Sequence, residues 1–376
     1  MTGRLDDAKR LIVKIGTNIL VDRHKGRIRR AWLEALADDI AELHEAGKQV
    51  IVVSSGAMAL GRGILGLERR TISMEAKQAA GAVGQVRLSQ IWREALERHG
   101  LTMAQVLLTL EDSESRRRYL NARSTLMSLL AFGAVPVINE NDALASELRF
   151  GDNDRLAGRL AQMVSADTLI LLSDVDGLYT GDPRRDPGAE LITELDEITP
   201  EVEAMAGPAA KGVGSGGMRT KIAAGKVALA AGATMVIAQG KGYHPLKALA
   251  AGGPCTWFRP AANPLTARKQ WIASGLKPAG AVAVDAGALN ALGKGRNLRP
   301  AGVIAVEGAF QRGDAVLVRG PDGVERGRGL INYSAEESRR IAGHKTSEIE
   351  ALLGYARGNA MIHSDDLVLV EGSAQS

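Results

Sequence analysis

The chain contains few aromatic residues, one cysteine and no long hydrophobic segment. Phe, Trp and Tyr make up 3% of its 376 residues, which argues against binding single-stranded nucleic acid mainly by base stacking. The single cysteine, Cys255, excludes an internal disulfide and a metal site built from several cysteines. No segment approaches the roughly 20 apolar residues of a membrane-spanning helix, and acidic residues precede the short apolar run near Met1, unlike in a secretory signal. These absences predict a protein of the reducing cytoplasm.

What the chain does contain is a balance typical of globular proteins. Hydrophobic residues make up 45% and charged residues 24%, and the length is sufficient for two or more domains. The net charge is +4. Residues 276–376 hold 12 basic and 12 acidic side chains, so the positive excess lies in the first part of the chain. The charge permits an anionic ligand without requiring one, and groups that attract an anion are expected in that first part.

Short apolar runs alternate with helical segments over roughly the first 255 residues. The pattern predicts strands at 11–13, 50–53, 134–139, 168–174 and 233–240, and helices at 30–47, 85–100, 115–133, 154–166 and 218–232. This alternation predicts an α/β fold with a doubly wound, mainly parallel sheet.

A different pattern follows a segment rich in Gly and Pro at 251–264. Short strand-like runs separated by Gly, Pro and Asp predict a small β-rich domain, with a hairpin turn at 319–326 and one helix at 334–343. We therefore expect an α/β domain at 1–258, a linker at 259–276, a β-rich domain at 277–360 and a C-terminal tail at 361–376.

Polar and Gly-rich clusters follow the predicted strands, and ligands bind beyond the carboxyl ends of strands in open α/β sheets. They include "SSGAMALG" (54–61), "NEND" (139–142) and "GSGGMRTK" (214–221). A Gly-rich helix start favours phosphate, and two ammonium groups, from Lys14 and Lys221, could neutralise a phosphoryl group in transfer. The P-loop pattern is absent. Such clusters are also typical of plain turns, helix caps and solvated loops, and both interpretations stay open at this point.

The stretch "GDND" (151–154) contains more polar residues than a helix start requires, since one Asp or Asn is enough to cap a helix. Apolar residues at helical spacing follow it, and they would anchor it on a rigid element.

Seven motifs occur in the order seen in the amino-acid kinase family, which the chain resembles: "LIVKIGTNIL", "VSSGAMALG", "KQAAGAVGQ", "INENDA", "GDND", "LLSDVDGLYTGDPR" and "GSGGMRTK". Residues from about 277 to 360 resemble a PUA domain. The resemblance implies an amino-acid kinase fold. It also implies an enzyme that phosphorylates the side-chain carboxylate of L-glutamate with ATP, giving L-glutamyl 5-phosphate for proline biosynthesis. It further implies Mg²⁺ held mainly by the ATP phosphates, inhibition by proline, and a homo-dimer or homo-tetramer. No membrane partner is expected because no apolar span is long enough, and nucleic acid is not expected to be required because the C-terminal part is neutral.

The resemblance also implies roles for individual residues. The catalytic residues would be Lys14, Lys221 and Asp154, with Asp154 holding both lysines. L-Glutamate would be bound by Ser54, Asp142 and Asn153, with Asp142 suited to the α-ammonium group. ATP would be bound by Lys14, Ser173, Asp174, Ser215, Gly216, Gly217, Met218, Arg219, Thr220 and Lys221.

Three other hypotheses remain. The chain could be a kinase of aspartate, carbamate or a nucleotide. It could bind RNA, as PUA domains often do, through a local patch of Lys294, Arg296 and Arg299, although its C-terminal part is neutral. Segment 143–150, which includes Glu147, is the candidate for coupling an inhibitor site to the substrate site.

Overall fold

The computed structural model describes residues 5–22, 26–67, 71–144, 152–207, 217–274, 276–355 and 358–370. The chain divides into two compact units, residues 1–264 and 265–376. In the described residues, no helix combines the length and the apolar character needed to cross a membrane.

The strands of the first unit are mostly short and apolar: β1 Arg10–Ile15, β2 Val21–Asp22, β3 Arg27–Ile28, β4 Gln49–Ser54, β5 Met103–Leu108, β6 Val135–Glu140, β7 Thr168–Ser173, β8 Leu178–Tyr179, β9 Leu191–Ile192, β10 Glu194–Leu195, β11 Thr234–Gln239 and β12 Cys255–Phe258. Eight of them form one sheet in the order β10-β12-β11-β7-β1-β4-β6-β5. All neighbouring pairs in it are parallel except β11 and β12.

The helices of the first unit lie between these strands in sequence: α1 Thr17–Leu20, α2 Arg30–Glu45, α3 Ala57–Ile64, α4 Met74–Glu97, α5 Leu110–Glu114, α6 Arg116–Ala131, α7 Asn153–Val164, α8 Pro200–Met205, α9 Met218–Ala230 and α10 Pro245–Ala250. The five predicted strands and the five predicted helices are all present. The prediction of a doubly wound, mainly parallel α/β sheet is therefore confirmed.

Side chains of β1 alternate between the two faces of the sheet, as the two-residue period of a strand requires. Leu11 and Val13 pack in the core that α2 and α4 cover, while Ile12 packs in the core of α6, α7 and α9. Lys14 shares the parity of Ile12, so it lies on the face of the sheet that α7 covers.

The second unit contains the strands β13 Gly280–Val284, β14 Val303–Gly308, β15 Ala315–Arg319, β16 Glu325–Leu330 and β17 Leu367–Leu369, and the helices α11 Pro264–Ser274, α12 Ala286–Gly293, α13 Ala335–Ile341 and α14 Ile349–Leu353. Its sheet has the order β14-β13-β15-β16-β17. The antiparallel pairing of β15 with β16 confirms the predicted hairpin, and α13 confirms the predicted helix. The prediction of a small β-rich domain is confirmed.

Two structured segments lie outside the two predicted domains. Helix α11 occupies most of the expected linker, and β17 lies in the expected C-terminal tail. Met361 and Ile362, in the same tail, are fully buried in the core of the second unit. We propose that the second domain extends from residue 265 to residue 370.

Candidate active site

Helix α7 begins inside the "GDND" stretch and positions its polar residues. Asp152 is the cap, because its Oδ1 accepts a hydrogen bond from the backbone N–H of Asp154 at 2.8 Å. Leu156 and Leu160 are buried in the core one and two turns later. The start of the helix is therefore anchored at the carboxyl end of the sheet, with Asn153 and Asp154 in its first turn.

Asp154 is fully buried and bridges two lysines that are distant in the chain. Its Oδ1 lies 2.5 Å from the Lys14 Nζ, and its Oδ2 lies 3.1 Å from the Lys221 Nζ. The Thr220 hydroxyl donates to the same Oδ2 at 2.9 Å. The Lys14 Nζ also lies 3.9 Å from Asp152 Oδ1. The structure thus brings together all three residues that the resemblance marks as catalytic.

These ion pairs keep the buried groups charged. Burial alone would raise the pKa of the Asp154 carboxyl, but the ammonium groups of Lys14 and Lys221 lower that pKa to about 2. Burial alone would lower the pKa of the Lys14 ammonium, but the carboxylates of Asp154 and Asp152 hold it above its ordinary value. Lys14 and Asp154 are therefore both charged at neutral pH, and the Lys221 Nζ lies against the second oxygen of the same carboxylate.

The close approach of α7 and α9 makes this bridge possible. Gly158, one turn after Asp154, faces Ala224, which follows Lys221 on α9. A β-carbon at Gly158 would lie 2.8 Å from the Ala224 carbonyl oxygen. Gly217 precedes the first turn of α9, so Thr220 and Lys221 project from the helix start that faces Asp154.

The residues that the resemblance implies for L-glutamate binding differ in what their side chains contact. Ser54 is fully buried, and its hydroxyl accepts a hydrogen bond from Trp92 Nε1 at 2.9 Å. Ser55, the next residue, is half-buried, and its Oγ accepts from Asn153 Nδ2 at 2.8 Å. Asn153 also donates to Asn139 Oδ1 at 2.9 Å. The structure thus places Ser55, rather than the Ser54 side chain, against Asn153.

Helix α4 closes the same side of the site. A β-carbon at Gly81 would lie 2.5 Å from the β-carbon of Asp142, so Asp142 rests directly on this glycine. Gln85, one turn further along α4, accepts a hydrogen bond from Asn139 Nδ2 at 2.9 Å. Asp142 and Asn153 are therefore both connected to α4, one by contact and one through Asn139.

The residues that the resemblance implies for ATP binding lie at the carboxyl end of β7 and at the start of α9. Ser173 is buried at the end of β7, and its carbonyl oxygen accepts from the Gly240 N–H at 2.7 Å. Asp174 is exposed and adds to the negative field that raises the pKa of Lys14. At the start of α9, Arg219 is exposed and Met218 is half-buried. Ser215 and Gly216 lie outside the described residues.

Four residues of this site were not assigned a role from the sequence: Ser55, Gln85, Asn139 and Asp152. The signal was present, since each lies within or beside one of the quoted motifs. In the part of the chain that the structure describes, no group of three or more His, Cys, Asp or Glu side chains has the arrangement of a metal site.

Comparison with known proteins identifies the family of the chain. The family model described as the amino acid kinase family matches residues 9–239, and that of the PUA domain matches residues 280–353. The chain belongs to the amino acid kinase family, and it is a kinase that carries a PUA domain.

Among its relatives is the glutamate 5-kinase of Paramagnetospirillum magneticum, 59% identical over 363 residues, which covers 96% of this chain and 98% of the relative. The glutamate 5-kinase of Rhodopseudomonas palustris strain BisB5 is 56% identical over 367 residues, covering 97% of this chain and 98% of the relative. The crystal structure of UMP kinase from Bacillus anthracis covers 68% of this chain and 97% of its own, with 17% identity and a TM-score of 0.49.

Proposed function

We propose that this chain transfers the γ-phosphoryl group of ATP to the side-chain carboxylate of L-glutamate, giving ADP and L-glutamyl 5-phosphate. The observation that carries the proposal is the bridge between Lys14 and Lys221 through the buried carboxylate of Asp154. The relatives of 59% and 56% identity, named glutamate 5-kinase, support glutamate as the acceptor.

In the proposed reaction, one carboxylate oxygen of L-glutamate forms a bond to the γ-phosphorus. The bond from that phosphorus to the β,γ-bridging oxygen breaks, and its electron pair leaves with ADP. A carboxylate with a pKa of about 4.3 is already ionised at neutral pH, so no general base is required. The obstacle is repulsion between two anions, which the two lysines reduce while Asp154 holds them in place.

We propose that ATP lies between the end of β7 and the start of α9. Ser173, Asp174 and residues 215–221 would hold it, because the N–H groups at a helix start favour phosphate. Mg²⁺ would be held mainly by phosphate oxygens, which are the hard ligands that it prefers, and would neutralise charge on the transferred group. L-Glutamate would lie on the other side of Lys14, near Asp142, Asn153 and Ser55.

The proposal is tested by a hydroxylamine assay, in which L-glutamyl 5-phosphate is trapped as the γ-hydroxamate. We expect product with ATP and L-glutamate. Phosphorylation of L-aspartate, carbamate or UMP without that of L-glutamate would contradict the proposal and favour another amino-acid kinase.

Replacing Lys221 with Met should reduce turnover at least about a thousandfold, since one of two cations next to the transferred group is lost. The matched control is Lys226→Met, because Lys226 lies on the same helix but pairs on the surface with Glu203. Equal activity in the two variants would contradict the role of Lys221.

Inhibition by proline, a place at the start of proline biosynthesis, a cytoplasmic location and a homo-oligomeric state rest on the resemblance and the composition, and they stay predictions. Residues 145–150 of the predicted coupling segment, including Glu147, lie outside the described residues. A proline titration of the hydroxamate assay with the wild-type chain and Glu147→Gln tests the coupling, and unchanged sensitivity would count against it.

A further inference from the structure

A chain of hydrogen-bonded amide side chains connects helix α4 to Asn153. Gln85 Nε2 donates to Ser89 Oγ at 3.2 Å, and Gln85 Oε1 accepts from Asn139 Nδ2 at 2.9 Å. Asn139 Oδ1 in turn accepts from Asn153 Nδ2 at 2.9 Å. Asn153 thus donates to Asn139, and Asn139 donates to Gln85, so the three amides all have the same direction.

The groups at both ends of this chain of amides agree with this direction. Asn153 Nδ2 lies 3.4 Å from the backbone carbonyl oxygen of Ser54, and a carbonyl oxygen only accepts. At the other end, the Gln85 side chain presents its oxygen to Asn139. Asn139 is buried between them, so both ends of its amide must be satisfied. Reversing any one amide would place two donors or two acceptors against each other.

The direction determines what Asn153 and Ser55 present to a ligand. The two Nδ2 protons of Asn153 are engaged by Asn139 Oδ1 and Ser55 Oγ. No described residue donates a hydrogen bond to Asn153 Oδ1, so this oxygen is available as an acceptor. Ser55 Oγ already accepts a bond, so its own proton is available for donation. An acceptor suits an ammonium group, and a hydroxyl donor suits a carboxylate.

We infer that Gln85 is a positioning residue that sets the direction of the Asn153 amide through Asn139, and thereby selects an acceptor substrate that carries an ammonium group. The inference deepens the proposed function, on which it rests for the identity of the substrate. Gly81, one turn before Gln85 on α4, supports the carboxylate of Asp142, so the same helix face positions a second group suited to a cation.

Two substitutions of opposite hydrogen-bond character test the inference. In Gln85→Glu the side chain keeps an acceptor for Asn139 Nδ2, and the amide direction is preserved. In Gln85→Lys the side chain only donates, so the Asn139 amide reverses and Asn153 turns a donor toward the substrate. Charge alone predicts the opposite order, since L-glutamate is an anion that Lys would attract and Glu would repel.

We expect the KM for L-glutamate to stay within about twofold of wild type in Gln85→Glu, and to rise about tenfold or more in Gln85→Lys. Gln85→Met, which neither donates nor accepts, should raise that KM about fivefold to tenfold. The KM for ATP should not change. Turnover of glutarate, which lacks the amino group, measures selection for the ammonium group, and the preference for L-glutamate over glutarate should fall in the Lys and Met variants.

The matched controls are Val86→Glu and Val86→Lys, which add the same charges at the neighbouring, 72% exposed position of α4. They should leave both KM values unchanged. The midpoint of thermal unfolding shows that each variant is folded. A higher KM for L-glutamate in Gln85→Glu than in Gln85→Lys would overturn the inference, and so would an unchanged preference over glutarate.

Failure of the proposed function is distinguishable from failure of this inference. If the wild-type chain does not phosphorylate L-glutamate, the proposed function is wrong, and the series is measured with the amino acid that the chain does phosphorylate. The order Glu, Met, Lys of rising KM for that amino acid would support the inference, and a reversed or flat order would overturn it.

Discussion

At the scale of single residues, the site depends on a carboxylate with no exposure to solvent. A buried charge is costly unless it is paired, and Asp154 is paired on both oxygens. Removing one partner of such an arrangement leaves the other charges uncompensated. Lys14, Asp154 and Lys221 should therefore behave as one unit, and the effects of their substitutions should not be additive.

The first prediction concerns turnover. Asp154→Asn removes the anion that holds the two lysines, but it removes no proposed substrate contact. We expect kcat to fall about a hundredfold or more while the KM for L-glutamate changes only a few fold. Steady-state kinetics with both substrates varied measure this. A large rise in KM with unchanged kcat would show that Asp154 binds the substrate instead.

The second prediction concerns acid stability. Since the pKa of Asp154 is lowered from 3.8 to about 2 in the folded chain, its ion pairs stabilise the fold fully above the unfolded-state pKa, and this contribution is lost as pH falls from about 4 toward 2. The contribution is about 2 kcal/mol. Urea unfolding of the wild type and Asp154→Asn between pH 5 and pH 2 should show a steeper loss of stability in the wild type. The control is Asp182→Asn at an exposed ion pair, and identical slopes in wild type and Asp154→Asn would contradict the prediction.

At the scale of elements, the geometry of the site is set by glycines where helices meet. Gly158 allows α7 to approach α9, and Gly81 makes room for Asp142 on α4. Helices α3 and α4 also meet through Gly61 and Gly84, where a β-carbon would lie under 2 Å from a backbone oxygen. The distances between these helices in the first unit thus depend on glycine at a few positions, where the absence of a side chain allows close approach.

The third prediction follows from this packing. In Gly158→Ala the new methyl group meets the backbone of Ala224 at 2.8 Å, so α7 and α9 must separate and Asp154 must move from Lys221. We expect kcat to fall at least about tenfold. The fold should lose about 1–2 kcal/mol, because the strain exceeds the gain in helix propensity.

The control for this prediction is Gly225→Ala on α9. There the new methyl group meets the end of the flexible Met235 side chain at 2.6 Å, which can move aside. Kinetics and urea unfolding of both variants measure the difference. Equal losses of kcat in the two variants would contradict a specific role of the contact between α7 and α9.

At the scale of the whole molecule, the chain has two units whose described hydrophobic cores share no residue. The cores of the first unit lie within residues 5–258, and those of the second within residues 271–369. The proposed ATP and glutamate residues all belong to the first unit. The catalytic site should therefore be complete without residues 265–376.

The fourth prediction is that calorimetry resolves two unfolding transitions. ATP with Mg²⁺ at about 100 times its Kd should stabilise the first unit by about 2.7 kcal/mol and raise only its transition temperature. Replacing the fully buried Tyr333 with Ala should lower only the other transition, by about 3 kcal/mol of stability. A single transition that responds to both changes would contradict independent units.

Much of this molecule could be predicted from sequence because local physics specifies it. Strands buried on both faces require nearly continuous apolar runs, and the five runs that predicted strands are strands β1, β4, β6, β7 and β11. The edge strands β5 and β10 lacked that signal, and so did β12, the short strand next to β10. Their formation depends on a neighbouring strand being in place.

A sequence motif does not determine which of two adjacent side chains contacts a given residue of the site, as Ser54 and Ser55 show. They are adjacent in one motif, but successive side chains of an extended chain point in opposite directions, and only one of them contacts Asn153.

The sequence alone determined the class of fold, the polar clusters at the ends of the strands, the cap of α7 and the residue types available for phosphoryl transfer, because apolar periodicity and capping are properties of neighbouring residues. Only the tertiary structure decided that Lys14 and Lys221 meet at one carboxylate, and that Gln85 and Asn139 orient Asn153. Those contacts depend on the distance between packed helices, which is set by side chains far apart in the chain.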